Sequence, residues 1–194
     1  PYLVIRGLTV AIIISCYLLI NEGISFLEKI LKIDNTTMIG ALCLTTAFLG
    51  FIYSISFTTA AVTLFMLALM PFLASIIAFI FLSEKISTQN FLSMVVALIG
   101  TVIMIYASSF SGSIFGLIMG FISSLGFAAF SVTLRSKSDY KKFYILVYGG
   151  VFCALISSTL MIFQDQSFFI PLKNIFLSIC HGVIVASGLI LFSI

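Results

Sequence analysis

The chain has 194 residues, 62% of them hydrophobic and only 8% charged, with a formal net charge of +3. A water-facing surface cannot be built from this composition, because a soluble domain alternates apolar stripes with charged faces. The Lys and Arg residues lie in turns and form no cationic face that could follow a phosphate backbone, so no nucleic acid is expected as a partner.

The apolar runs last about twenty residues without period-two alternation, which selects membrane-spanning helices over a barrel. The expected fold is an all-α polytopic membrane bundle. The first span runs from Tyr2 to Ile20 and stops at Asn21-Glu22. It is too long for the apolar region of a signal peptide, and Asn21-Glu22 is no small-residue cleavage site. A mixed segment with Glu28, Lys29, Lys32 and Asp34 follows, where Leu27, Ile30 and Leu31 fit either a short interfacial helix or an ordinary loop.

Met38 to Leu82 carries no charge, and at about 1.5 Å rise per residue it is roughly twice the length one span needs. Two antiparallel spans, Met38 to Phe57 and Ala60 to Leu82, must share it, with a tight turn in the polar stretch Ser54 to Thr59. A fourth span runs from Gln89 to Tyr106. Ala107 to Ser113 reads as an uncharged small-residue linker, dividing the chain into residues 1–107, a connection at 108–113, and residues 114–194. Beyond it come spans at Ile114 to Leu134, Phe143 to Phe163 and Ile175 to Ile194, seven in all.

Alternating these spans puts Lys29, Lys32, Lys85, Arg135, Lys137, Lys141 and Lys142 on one side, and Arg6 and Lys173 on the other. The positive-inside rule makes the Lys85 side cytoplasmic and places Pro1 outside, in an integral protein of the cell membrane. The opening on Pro1 and the close inside an apolar run are expected of an internal fragment. Cys16, Cys43, Cys153 and Cys180 sit in apolar runs without CxxC spacing and read as buried thiols, so neither a metal nor another cofactor is expected.

Tyr2 to Glu22 can be laid over Ile145 to Asp165, pairing Leu3 with Leu146, Val4 with Val147, Gly7 with Gly150, Ala11 with Ala154 and Ser15 with Ser158. If the two spans are equivalent, the repeat is five helices long, and an odd repeat inserts its two copies in opposite orientations. Two Leu/Ile-rich helices also match by chance, and the alignment alone leaves both readings open.

Outside support lies in Ala60-Ala61, Met70-Pro71-Phe72, Ala74, Ala78, Phe81-Leu82, Glu84-Lys85 and Gly100, taken in order. This run resembles the EamA family of the drug/metabolite transporter superfamily, whose fourth span carries a central proline and ends in Glu-Lys and whose fifth has a glycine near its middle. Gly116-Leu117 through Gly126-Phe127-Ala128-Ala129-Phe130 to Arg135 looks like the first span of the family's second half, without the tryptophan often found there. The resemblance implies ten helices in two inverted five-helix repeats, of which this chain holds the second to the eighth. It also implies a transporter or exporter of small organic metabolites, amino acids or similar compounds, working by alternating access rather than an enzyme.

Pro71 removes a backbone donor in mid-span, so a kink serving as hinge or cavity wall is expected. Glu84 and Lys85 sit at the membrane face, suited to helix termination and a gating contact. Gly112, Gly116, Gly120, Ser124 and Ala128 recur every four residues and form a small-residue stripe for close helix packing. His181, the only histidine, falls inside the last span, where it is either functional or a neutral imidazole bonded to a carbonyl. Tyr53, Thr58, Thr59, Thr63, Tyr148 and Ser187 are candidates, with His181, for a mostly apolar substrate cavity. A non-transporting scaffold is the alternative. A membrane-embedded enzyme is disfavoured, since no HExxH, paired intramembrane aspartates or Gly-x-Ser-x-Gly occurs. Lipid and a small-molecule substrate are the expected partners; oligomeric state is not legible.

Overall fold

The computed structural model describes residues 1–30, 34–84, 88–107, 113–137, 139–165 and 171–193. Among these the chain forms helices and no strand: α1 Tyr2–Glu22, α2 Ser25–Ile30, α3 Asn35–Phe57, α4 Ala60–Ala68, α5 Met70–Leu82, α6 Thr88–Ala107, α7 Ile114–Arg135, α8 Asp139–Phe163 and α9 Leu172–Ser193. Among the described residues six stretches are long and apolar enough to cross a membrane, with α4 and α5 together making one of them. The expected span Gln89 to Tyr106 is the 20-residue helix α6, about 30 Å long at 1.5 Å per residue. Large apolar side chains face outward all along these helices, Ile80 at 63% and Phe81 at 77% exposure among them. That surface is stable only in lipid. The chain is therefore an all-α multi-pass membrane protein. Lys32, Lys85, Gly112 and the connection at 108–112 lie outside the described residues.

Two compact units are formed, Pro1–Thr45 with Thr133–Ile194, and Thr46–Val132. In the first, α1 and α8 cross through four small residues. A Cβ on Gly7 would stand 2.7 Å from the Gly150 carbonyl oxygen and 3.0 Å from the Ala154 nitrogen, while a Cβ on Gly150 would stand 2.8 Å from the Gly7 oxygen and 2.9 Å from the Ala11 nitrogen. Only glycine permits this approach. The core around the crossing is Val10, Ile14, Leu18, Ile145 and Leu146. The start of α3 joins it through the Thr45 hydroxyl, whose Oγ1 lies 2.9 Å from the Ala41 oxygen and 3.1 Å from that of Gly149. On α9, Gly182 closes against Thr9.

In the second unit the turn between α3 and α4 is only Thr58-Thr59. Thr59 caps α4 by accepting from the Val62 N–H at 3.3 Å, and the Thr58 N–H and hydroxyl both return to the Ser54 carbonyl, at 2.9 and 2.7 Å. Such side-chain bonds replace the backbone partners that helix ends lack. Helix α4 ends at Leu69, whose N–H donates back three residues to Met66 at 3.2 Å. Helix α5 restarts with Pro71 in its first turn, where a missing N–H is harmless. Pro71 thus divides the span into two helices. Gly50 meets the backbone of α7 at Met119 and Ser123, and the Ser123 hydroxyl donates to the Ala47 carbonyl at 2.8 Å.

Candidate functional site

The polar groups of the first unit gather at two places, one within the helices and one at their α2 end. Within the helices stands Arg6, only 2% exposed. Arg6 was expected among the outer-side turn cations. The structure corrects this: α8 and α9 close over it. Its guanidinium interacts with the Cys153 thiol and the Tyr2 phenol, and lies within electrostatic reach of His181. The Tyr2 and His181 rings are 5.6 Å apart between centroids. Cys153 and His181 sit close to the middle of α8 and α9, while Arg6 itself stands in the second turn of α1. The His181 Nδ1 is buried with no hydrogen-bond partner among the described residues. Ser157, one turn beyond Cys153, is buried beside them.

At the α2 end, Glu22 Oε2 accepts from Lys29 Nζ at 2.7 Å and from the Tyr144 hydroxyl at 2.9 Å. Asp34 caps α3 through the Thr37 N–H at 3.1 Å and also accepts from the Thr37 hydroxyl and the Lys137 ammonium. The bond from Lys137, followed by that from the Thr37 hydroxyl, holds the Asp34 carboxyl down to about 2 from an ordinary 3.8. The Tyr148 hydroxyl donates to the Ile30 carbonyl, and Lys142 Nζ to the Ser193 carbonyl at 3.3 Å. Residues before the linker are therefore tied to residues after it at this end. No single-sequence pattern reveals pairs more than a hundred residues apart.

The cavity candidates fall into both units. In the second, Thr63 is fully buried and bonded to Ser54 at 3.0 Å and Thr58 at 3.1 Å, and Thr59 is the α4 cap. Tyr53 packs with Phe57 and Phe115, at 6.5 and 6.4 Å between centroids. These hydroxyls hold the α3–α4 turn together. In the first unit Tyr148 belongs to the α2 end, His181 to the Arg6 cluster, and Ser187 is exposed, donating to its own helix at Val183 with 2.9 Å.

The small-residue stripe of α7 faces inward along its whole length. A Cβ on Gly116 would stand 3.0 Å from Phe57, and one on Gly120 2.8 Å from the Ser54 hydroxyl; Ala128 packs with Ala74, Ala78 and Val132. Ser124 is fully buried, with its Oγ unpartnered among the described residues. Gly100 has open space where a Cβ would stand, among the described residues. Glu84 follows the end of α5, its N–H and that of Ser83 turned to the Ala78 carbonyl. Among the described residues no cluster of His, Cys, Asp and Glu is arranged to hold a metal ion.

Searches among curated proteins and among solved structures found no match. The model of the EamA-like transporter family matches residues 2–106, more than half of the 194 residues, and the chain belongs to that family.

Proposed function

We propose that the chain is part of a secondary transporter or exporter of small organic metabolites, amino acids or similar compounds, working by alternating access between two inverted repeats. The observation that carries this reading is the reciprocity of the α1–α8 crossing. The alignment pairs Gly7 with Gly150 and Ala11 with Ala154; in space Gly7 meets Ala154 while Gly150 meets Ala11. A contact in which i touches the equivalent of j and j touches the equivalent of i is the mark of a two-fold axis. In a membrane protein an axis relating oppositely inserted copies lies in the membrane plane.

On this reading residues 1–107 are the last four helices of the first repeat, residues 114–194 the first three of the second, and 108–113 the linker between them. The ends carrying Lys29, Arg135, Lys137 and Lys142 are cytoplasmic, where the bonds at Glu22 and Asp34 close the inner mouth. Glu84 with Lys85 ends its span at that face, Gly100 lies in the following helix, and Pro71 supplies a hinge.

The test is exchange by the full-length protein in liposomes loaded with labelled amino acids, purines or polyamines. Exchange of at least one class, abolished when the Gly7–Gly150 crossing is filled, is the expected result. No exchange of any class would favour a scaffold instead.

A further inference from the structure

We propose that Arg6 and His181 form a site for the carboxylate of the transported solute, set between α1, α8 and α9. This inference rests on the transporter reading and names the chemistry of its cargo. A guanidinium keeps its charge at any physiological pH, and an intramembrane cation is costly enough that its placement points to a task. Arg6 is held with 2% exposure against Cys153 of α8 and within electrostatic reach of His181 of α9, so its guanidinium does not extend into water as an interfacial anchor would.

A planar guanidinium matches a carboxylate in two parallel hydrogen bonds. The imidazole adds a second polar group at the same place: Nδ1 of His181 is buried and lacks a partner among the described residues, and Tyr2 packs on that ring. Occupied by a carboxylate, the imidazole would find the partner it lacks. The repeat alignment sets Arg6 against Gly149, so the charge belongs to one copy only, as a site for an asymmetric solute requires. In the conformation described the guanidinium is closed off from solvent, with Gly182 of α9 packed against Thr9 of α1 beside it.

The experiment uses the full-length protein in liposomes exchanging labelled leucine, with unlabelled leucine, leucinamide, benzoate, benzamide and inorganic phosphate as competitors. On the wild-type protein the two carboxylates are expected to compete at least about tenfold better than their amides and better than phosphate. Arg6→Gln should erase the preference of acid over amide, Arg6→Lys should keep part of it, and His181→Gln should weaken carboxylate competition. Amides competing as well as acids, phosphate competing best, or an unaltered acid preference in Arg6→Gln would each overturn the site. The first two outcomes need no variant to fold. Thermal shift of the detergent-solubilised protein with benzoate against benzamide separates the two levels. A benzoate-specific rise without any exchange sinks the transporter reading and leaves the site, whereas exchange of neutral or cationic solutes alone sinks the site and leaves the transporter.

Discussion

Asp34 closes the first turn of α3 with one oxygen and binds the Lys137 ammonium with the other. Both bonds favour the ionised carboxyl, which titrates at 3.8 in an unfolded chain and at about 2 in the folded one. The stabilisation is complete above the unfolded value and disappears as pH falls through about 2. The melting temperature of the detergent-solubilised protein should therefore fall more steeply in this acid window for the wild type than for Asp34→Asn, which has no charge to lose. Equal slopes would show that the pair contributes nothing. Ser83 illustrates a different residue-scale demand: it ends α5 at φ 54°, a left-handed position that favours glycine and that no glycine in the sequence announced.

At the scale of the helix, two local signals were sufficient. The charge-free run from Met38 to Leu82 was too long for one span, and its most polar stretch marked the turn that the structure places at Thr58-Thr59. Pro71 marked the division of the next span into α4 and α5. Pro71→Ala restores a backbone donor and should fuse the two helices, raising thermal stability while lowering the exchange rate; an unchanged rate would remove Pro71 from the moving parts. The α1–α8 crossing tolerates still less. Gly150→Leu drives a side chain into the α1 backbone, where even one added methyl stands 2.8 Å from the Gly7 oxygen; overpacking of this kind costs about 1–3 kcal/mol or more. Its melting temperature should drop by several degrees, whereas Gly188→Ala, with open space at its Cβ among the described residues, should not move.

For the molecule as a whole, hydropathy and the family resemblance brought out the class of fold and the order of the spans, because both are written in consecutive residues. The polar clusters were not written that way. Arg6 stands near the start of a span, where a charge is ordinarily taken to reach water; it is the packing of α8 and α9, from more than a hundred residues downstream, that buries it. His181 was noticeable as a lone ionisable residue in an apolar run, yet nothing local connected it with Arg6. Thr59 and Thr63 were noticeable as hydroxyls, and tertiary contacts decided that they fasten a turn.

The α1–α8 crossing also constrains how the gene could change. On the proposed repeat reading the two copies touch through their own equivalent positions, and a larger residue in one takes its room from the other. Gly7, Ala11, Gly150 and Ala154 are in this sense one shared allowance of volume, and drift that enlarges any of them must be met by a reduction across the contact. On that reading each copy constrains its twin at these four positions.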